Sequence, residues 1–134
     1  MYQSEVQIRV RYAETDQMGY VYYGNYAGYF EVARVETLRN LGFSYKAIEA
    51  SGIILPVLSF SIKYIKPGFY DDLLTIKVMI KEMPMARIRF DYETYNEKDE
   101  RINIADTTLV FINKSTNKPC PAPEDFMNEI KKFF

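Results

Sequence analysis

Residues 12–36 read YAETDQMGYVYYGNYAGYFEVARVE and join an acidic loop to the start of a long amphipathic pattern. Asp16 lies in the loop, which is predicted to turn at Gly19, and the amphipathic pattern begins at Tyr23 and Gly24. A helix N-terminus carries unpaired N–H groups and a partial positive charge. Those groups can hold a developing oxyanion while a nearby carboxylate acts on a carbonyl group. The stretch is therefore a candidate active site, and the remaining chain is its scaffold.

The segment Asn25–Leu41 has apolar residues at helical spacing and predicts one long helix. Its apolar positions, which include Val32 and Val35, cover most of the circumference, so the helix is expected to be wrapped by a sheet. Arg34 falls inside the apolar arc, where we expect it to snorkel or to pair with a nearby acid. Gly42 is well placed as the stop signal.

Outside this helix the chain alternates with period two, which indicates β-strands. The strands are predicted at Gln3–Tyr12, Leu58–Tyr64, Leu74–Ile80, Ile88–Thr94 and Ile102–Ile112. Short turns join the last four, which favours an antiparallel meander. Two short helices are predicted, one from the cap Ser44 to Ala50 and one at Glu124–Phe133. The predicted fold is α+β: a single domain over residues 1–134, with about five antiparallel strands around one long central helix.

Composition excludes several classes of protein. The net charge of −1 lacks the basic excess of a general nucleic-acid binder. The chain has no His, which excludes Ser-His-Asp and Cys-His pairs, His metal ligands and a His general base. Cys120 is the only Cys, so we expect neither an internal disulfide nor a structural zinc site. No metal and no cofactor is predicted.

Twelve tyrosines in a short chain suggest half-buried surfaces, as at subunit contacts or a ligand cleft. Sheet edges also need cover, so we expect a homodimer or a homotetramer built as a dimer of dimers. The N-terminal residues lack the apolar run of a signal peptide. No run approaches the roughly 18 apolar residues that span a bilayer. The sequence therefore predicts no membrane span and a cytoplasmic location.

Residues 16–26, DQMGYVYYGNY, resemble the signature of hotdog-fold acyl-CoA thioesterases. The resemblance is closest to the 4-hydroxybenzoyl-CoA thioesterase family, which includes the bacterial Tol-Pal-associated acyl-CoA thioesterases. Weaker similarities continue through FEVARVE at 30–36, Pro67-Gly68, YDDL at 70–73 and PAPE at 121–124, and so cover essentially the whole chain. The resemblance implies a hot dog fold, a curved antiparallel sheet wrapped round a long helix. It also implies dimers or tetramers with active sites at the subunit interface.

The same resemblance implies the roles of individual residues. Asp16 would be the catalytic carboxylate, as nucleophile or as general base. The backbone N–H of Tyr23 would polarise the thioester carbonyl, with Gly24 beside it. Several members of the family carry His where this chain has Tyr23, and a backbone contact tolerates that exchange. The facing strand of the partner subunit, around Pro56, would line the acyl pocket through Val57, Leu58 and Ser59.

Two further assignments each have a simpler alternative. Arg87 and Arg89, with Lys63 and Lys66 nearby, are candidates to meet the phosphates of coenzyme A, but they could equally be solvated strand residues. Asp16 could be a loop aspartate that makes only a local turn hydrogen bond.

The predicted function is hydrolysis of the thioester of a small or medium acyl-CoA, with coenzyme A as a product. An acyl carrier protein is an alternative carrier of the acyl group. A non-catalytic acyl-CoA binding or sensing protein is the alternative function, because it would keep the cleft without needing the carboxylate. Hydratases and dehydratases of the same fold depend on a catalytic His, which this chain lacks.

Overall fold

The computed structural model describes all 134 residues and contains eight strands and three α-helices. In chain order these are β1 (Tyr2–Arg9), α1 (Asn25–Asn40), α2 (Tyr45–Ala50), β2 (Ile53–Ile54), β3 (Val57–Tyr64), β4 (Leu73–Ile80), β5 (Arg87–Tyr95), β6 (Arg101–Val110), β7 (Ile112–Asn113), β8 (Lys118–Pro119) and α3 (Glu124–Ile130). Five strands pair antiparallel in the order β1-β4-β5-β6-β3 and form the main sheet. The two-residue strands form a second sheet in the order β2-β7-β8. The predicted α+β class with an antiparallel sheet is confirmed.

One face of the main sheet carries the buried positions of the alternating pattern and packs against α1. Leu74, Ile76 and Val78 of β4 are fully buried. Phe30 of α1 stacks on Tyr92 of β5 with ring centroids 4.5 Å apart. Full burial of a large apolar side chain contributes about 1.5–3 kcal/mol. These segments are strands because each has one apolar face to bury against the same helix.

The helix α1 covers one face of the sheet but is not enclosed by it. Its buried positions form one stripe: Tyr26, Tyr29, Phe30, Ala33, Arg34, Thr37 and Leu38. Val32, on the other side, is 48% exposed. The expectation that the sheet wraps most of the helix is therefore wrong for this chain. Val32 and Val35 share their side with Glu31, Glu36 and Arg39, whose charges favour contact with water.

The helix signals that follow α1 are confirmed. Gly42 has a φ of 92°, and the N–H of Phe43 donates to the Leu38 carbonyl at 3.0 Å, which closes the end of the helix. The Ser44 hydroxyl accepts the N–H of Ala47 at 3.1 Å and caps α2. Local chemistry thus sets both helix boundaries.

Arg34 is buried without a carboxylate partner. It is 7% exposed, and its Nε donates to the hydroxyl of Tyr45 at 3.2 Å. The expectation that it snorkels or pairs with an acid is wrong. The hydroxyl groups of Tyr45 and Tyr92 face the guanidinium inside the core and take the place of an acid.

Three boundaries differ from the sequence prediction by more than one residue. The strand β1 ends at Arg9, because residues 12–14 form a 3₁₀ turn that leaves Tyr12 78% exposed. The predicted last strand divides after Val110, and Ile112 joins the second sheet. That sheet was not predicted, because two-residue strands show no alternation. The final helix stops before a 3₁₀ turn at residues 131–133.

Two general features bear on the class of protein. No helix in the chain combines the length and the apolarity that crossing a lipid bilayer requires. No group of three or more Asp, Glu or Cys side chains is arranged to hold a metal ion. The expected location and the expected lack of a metal stay predictions.

Candidate active site

The loop that holds Asp16 is a tight turn. The N–H of Gly19 donates to the Asp16 carbonyl at 3.0 Å, and the N–H of Asp16 donates to the Tyr20 carbonyl at 2.8 Å. Gly19 has a φ of 77°, a conformation that glycine adopts without steric penalty. Oδ1 of Asp16 accepts the N–H groups of Met18 at 2.9 Å and Tyr20 at 3.2 Å. The local turn hydrogen bonds expected of Asp16 are therefore confirmed, and one of its two carboxylate oxygens makes them.

The other carboxylate oxygen of Asp16 has no hydrogen-bond partner in the chain, and Asp16 lines a cleft of about 320 Å³. Aromatic side chains form much of the wall, namely Tyr20, Tyr23, Tyr26 and Tyr64. Burial raises the pKa of Tyr26 to about 12, so this phenol is neutral at neutral pH. Asp16 is the only carboxylate that lines the cleft.

The start of α1 presents two backbone N–H groups, those of Tyr23 and Gly24, that have no acceptor in the chain. The N–H groups on either side are used: Tyr22 donates to the Glu14 carbonyl at 2.8 Å, and Asn25 donates to the Tyr22 carbonyl at 2.9 Å. The side chain of Asn25 does not cap α1, and its Nδ2 donates instead to the Glu14 carbonyl at 2.9 Å. Unpaired N–H groups at a helix start are the donors that an oxyanion requires.

The carbonyl groups fix the direction of these two peptides. The peptide that contains the N–H of Tyr23 is held through its Tyr22 carbonyl, which accepts from Asn25. The next peptide is held through the Tyr23 carbonyl, which accepts the N–H of Tyr26 at 3.3 Å and the hydroxyl of Tyr64 at 3.4 Å. In a trans peptide the N–H points opposite to the C=O. Both free N–H groups are therefore directed in advance, while the Tyr23 side chain is 64% exposed.

Backbone conformation does not require glycine at position 24, but a larger residue would crowd the ring of Tyr22. Gly24 has φ −64° and ψ −22°, which any residue can adopt. A Cβ at this position would lie 3.1 Å from Cε2 of Tyr22, so that ring would have to move. The role of Gly24 in admitting a ligand stays a prediction.

The segment expected to line an acyl pocket lies at an exposed edge of the main sheet. Val57 and Leu58 are 49% and 52% exposed, and Ser59 is exposed as well. Leu58 sits where the pairing with β6 shifts register. None of the three lines the cleft of its own chain, but Tyr64 at the other end of β3 does.

The two arginines proposed for phosphate binding lie on the outer face of the sheet, away from α1. Arg87 and Arg89 alternate with the buried Ile88. Nη2 of Arg89 lies 3.2 Å from Oδ1 of Asp91 and 3.5 Å from Oδ2 of Asp106. Neither arginine lines the Asp16 cleft.

The outer face of the main sheet has a depression that is separate from the Asp16 cleft. The depression, of about 370 Å³, is lined by Lys63 and Arg89 among others and shares no residue with the Asp16 cleft.

Lys66 lines the Asp16 cleft and forms an ion pair with Glu100. A hydrogen bond from Lys66 holds the pKa of Glu100 below its usual range. The cation at the cleft therefore already has a partner.

The sequence pattern of the Thioesterase-like superfamily matches residues 10–130. The chain belongs to this superfamily. It is similar to the putative acyl-CoA thioesterase YneP of Bacillus subtilis, with 35% identity over 119 residues that cover 89% of this chain and 86% of the relative. The acyl-CoA thioester hydrolase YbgC of Escherichia coli O157:H7 is 30% identical over 125 residues, which are 93% of each chain.

A solved structure that is similar to this chain agrees with the fold. The DHNA-CoA thioesterase from Staphylococcus aureus superposes with a TM-score of 0.94 and 38% identity, over 99% of this chain and 91% of that one. The expected hot dog class is thereby confirmed, with the sheet covering α1 on one side only. The relatives support thioester hydrolase activity. The narrower branch around 4-hydroxybenzoyl-CoA thioesterase and the Tol-Pal association stay predictions.

Sequence reasoning did not single out Glu14, Tyr29 or Tyr64 as parts of the site. Tyr64 reaches the Tyr23 carbonyl from a strand 41 positions later in the chain. Glu14 bonds to Tyr29 of α1 across the Asp16 loop. The only sequence signals were the position of Glu14 two residues before Asp16 and the position of Tyr29 on the apolar side of α1.

Proposed function

We propose that this protein is an acyl-CoA thioesterase that uses the Asp16 carboxylate and the backbone N–H of Tyr23. The observation that carries the proposal is that one carboxylate and the N-terminus of α1 meet at one cleft. The names of YneP and YbgC support acyl-CoA as the substrate class. The cytoplasmic location and the narrower family branch belong to the same proposal.

The carbonyl oxygen of the thioester would accept the N–H of Tyr23, with the N–H of Gly24 beside it. This oxygen becomes negative as the carbonyl carbon turns tetrahedral, and the partial positive charge of the helix N-terminus favours that change. One preorganised donor of this kind is worth roughly 3–4 kcal/mol in the transition state. The two peptides need no reorientation, because their carbonyls are already hydrogen-bonded.

Asp16 would act by one of two routes. As a nucleophile it adds to the carbonyl carbon and expels the thiolate of coenzyme A, and water then hydrolyses the mixed anhydride. As a general base it takes a proton from a water molecule that adds to the same carbon. In both routes Oδ2 is the reacting oxygen, since the turn already occupies Oδ1. The products are a carboxylic acid and free coenzyme A.

A second copy of the chain would complete the cleft. The eight residues of β3 form an edge of the sheet, and several of their apolar side chains are exposed. Antiparallel pairing of two β3 edges brings the Val57 end of one chain beside the Tyr64 end of the other. Val57, Leu58 and Ser59 of the partner subunit would then lie next to the cleft, in a homodimer that can pair again into a tetramer.

A charged residue on the β3 edge tests whether two chains pair along it. We expect Leu58→Asp to give monomers in analytical ultracentrifugation and to lose thiol release, because an aspartate on the shared edge cannot be buried without a partner. Met85→Asp is the control, since Met85 is 75% exposed outside any strand. A fully active monomeric Leu58→Asp variant would remove the partner strand from the proposal.

The acyl group, the phosphates and the carrier of the substrate have to fit the residues around the Asp16 cleft. The aromatic wall supports small aromatic or short aliphatic acyl groups. Arg87 and Arg89 stay the candidates to contact the phosphates of coenzyme A. To do so, Arg89 must exchange its ion pairs with Asp91 and Asp106 for a phosphate. A contact from the partner subunit or a rearranged side chain would have to favour that exchange. Coenzyme A and an acyl carrier protein are the two candidate carriers of the acyl group, and both present the same thioester.

The function is tested by release of free thiol from a panel of aromatic and aliphatic acyl-CoA thioesters and one acyl carrier protein thioester. We expect steady turnover of at least one of them by the wild-type protein. Tight acyl-CoA binding with no thiol released from any substrate would identify a binding or sensing protein and reject the proposal.

A further inference from the structure

Glu14, two residues before Asp16, bonds to both halves of the candidate active site. Its carbonyl accepts the N–H of Tyr22 at 2.8 Å and Nδ2 of Asn25 at 2.9 Å. Oε1 of its carboxylate accepts the hydroxyl of Tyr29 at 3.0 Å. Asn25 and Tyr29 belong to α1, and both side-chain hydrogen bonds from α1 to the loop end on Glu14.

The Glu14 carboxylate is itself held in place. The N–H of Arg11 donates to Oε1 at 2.8 Å, and Nη2 of Arg11 donates to Oε2 at 3.2 Å. The Glu14 side chain is 14% exposed, and Tyr29 is 4% exposed. Partial burial raises the pKa of Glu14, but hydrogen bonds from Arg11 and Tyr29 outweigh it and hold the pKa below its usual range. Glu14 is therefore a fixed anion at the base of the loop.

The chain runs from Glu14 straight into the catalytic turn. Thr15 forms an antiparallel bridge with Val21, and Asp16 opens the turn between them. The first turn of α1 contains no acid, and no side chain caps it. A movement of α1 along its axis would therefore change the distance from Asp16 to the helix N-terminus unless the Glu14 contacts prevent it.

We propose that Glu14 is a positioning residue for thioester hydrolysis and that it acts through Tyr29. The contact would fix α1 against the loop, and with it the spacing between the Asp16 carboxylate and the N–H of Tyr23. Spacing is a sensitive quantity, since a 1 Å misplacement of reacting groups can cost about 10²-fold in rate. The inference rests on the proposed function, because it gives Glu14 a part in the same reaction.

Tyr29→Phe removes one hydroxyl group and tests the contact directly. We expect kcat for thiol release to fall roughly tenfold with KM within about twofold, because bound substrate is less well aligned. Tyr95→Phe is a matched control. The hydroxyl of Tyr95 also donates to a carboxylate, Oε1 of Glu93, at 3.0 Å, but on a strand that does not line the cleft. We expect Tyr95→Phe to keep the wild-type kcat.

Variants of Glu14 separate positioning from general support of the fold. Glu14→Gln keeps an oxygen that can accept from Tyr29, so we expect it to retain more of kcat than Glu14→Ala does. In the double variant of Glu14→Ala with Tyr29→Phe, we expect no loss of kcat beyond that of Glu14→Ala, because both changes break one contact. Thermal unfolding is measured on every variant, and Tyr29→Phe and Glu14→Gln decide the question if Glu14→Ala does not fold.

The outcomes distinguish this inference from the function on which it rests. An active wild type with an unchanged kcat in Tyr29→Phe overturns the positioning role and leaves the thioesterase proposal intact. Equal losses in Tyr29→Phe and Tyr95→Phe, or additive losses in the double variant, also overturn it. A wild type that releases no thiol from any substrate rejects the function and the positioning role together.

Discussion

The turns Asp16–Tyr20 and Asn96–Glu100 have the same hydrogen-bond pattern. In each, Oδ1 of the first residue accepts the N–H groups two and four positions later, at 2.9 and 3.2 Å in the first turn and at 3.0 and 3.0 Å in the second. The first N–H donates to the last carbonyl in both turns, at 2.8 and 3.0 Å. The fourth residue, Gly19 or Asp99, has a left-handed φ of 77° or 59°. The chain therefore builds one kind of turn in two places.

The two turns differ in one chemical group. Asn96 supplies the acceptor oxygen as an amide and uses its Nδ2 on Oε1 of Glu100 at 3.0 Å. Asp16 supplies the oxygen as a carboxylate and leaves Oδ2 without a partner beside the cleft. An amide oxygen can accept the same two hydrogen bonds, and that of Asn96 does so at 3.0 Å. This kind of turn therefore forms without a negative charge at its first position, so the charge of Asp16 is not needed to form its turn.

The largest expected effect is on activity in Asp16→Asn. The asparagine keeps the acceptor for Met18 and Tyr20, so we expect the free energy of unfolding to change by less than about 1 kcal/mol. The variant loses its nucleophile or base, so we expect the rate of thiol release to fall by about 10²–10⁴-fold. Steady-state thiol release and denaturant unfolding measure the two quantities. A large loss of stability would show that the charge supports the fold after all.

Alanine at the first position of each turn should cost similar stability. Asp16→Ala and Asn96→Ala each remove the acceptor of two backbone N–H groups, and we expect each to lower the free energy of unfolding by about 1–2 kcal/mol. Only Asp16→Ala should abolish thiol release. Urea unfolding of the two variants side by side checks the first expectation, and unequal losses would mean that the turns are not equivalent.

The fourth position of each turn gives a smaller effect. We expect Gly19→Ala to cost about 1 kcal/mol, because alanine is strained at positive φ. Asp99→Gly should change stability by less than about 0.5 kcal/mol, since glycine gains backbone freedom but relieves strain. Thermal unfolding of both variants tests whether the left-handed residue is equally demanding in the two turns.

The smallest expected effect is on the pH dependence of the free energy of unfolding. Partial burial raises the pKa of Glu14, but hydrogen bonds from Arg11 and Tyr29 outweigh it and leave the pKa lowered. For Glu100, at the end of the second turn, the hydrogen bond from Lys66 is the main cause of a lowered pKa. Such carboxyl groups contribute stability above their unfolded pKa of about 4.3, and this stability is lost as pH falls through the folded pKa.

The free energy of unfolding should therefore decrease on acidification from about pH 5. Glu14→Gln should flatten that decrease more than Glu100→Gln, because Glu14 is the less exposed of the two. Denaturant unfolding at pH values from about 6 to 3 measures the slopes. An identical slope in Glu14→Gln and wild type would contradict the lowered pKa of Glu14.

Local signals made much of this structure predictable. Gly19, Gly42 and Ser44 mark their turn, stop and cap through their own backbone or side-chain chemistry. The alternating strands were predictable because each buries one face. Asp16 and the start of α1 are nine residues apart in the chain, so their closeness also followed from local order.

Contacts between distant segments were not predictable in the same way. Tyr64 and Lys66 reach the cleft only because β3 pairs with β6 in one register, which packing determines. Arg34 has a phenol partner from α2, and no spacing rule indicates that. The assignment of Val57–Ser59 depends on a second chain, whose position a single sequence does not contain.

Exchanging the two side chains in one double variant, Asp16→Asn with Asn96→Asp, tests whether Asp16 is the catalytic carboxylate. Composition and net charge stay the same, and each turn keeps its acceptor oxygen. We predict wild-type stability within about 1 kcal/mol and a loss of thiol release of about 10²–10⁴-fold, while Asn96→Asp alone stays active. Wild-type turnover by the double variant would contradict the assignment of Asp16 as the catalytic carboxylate.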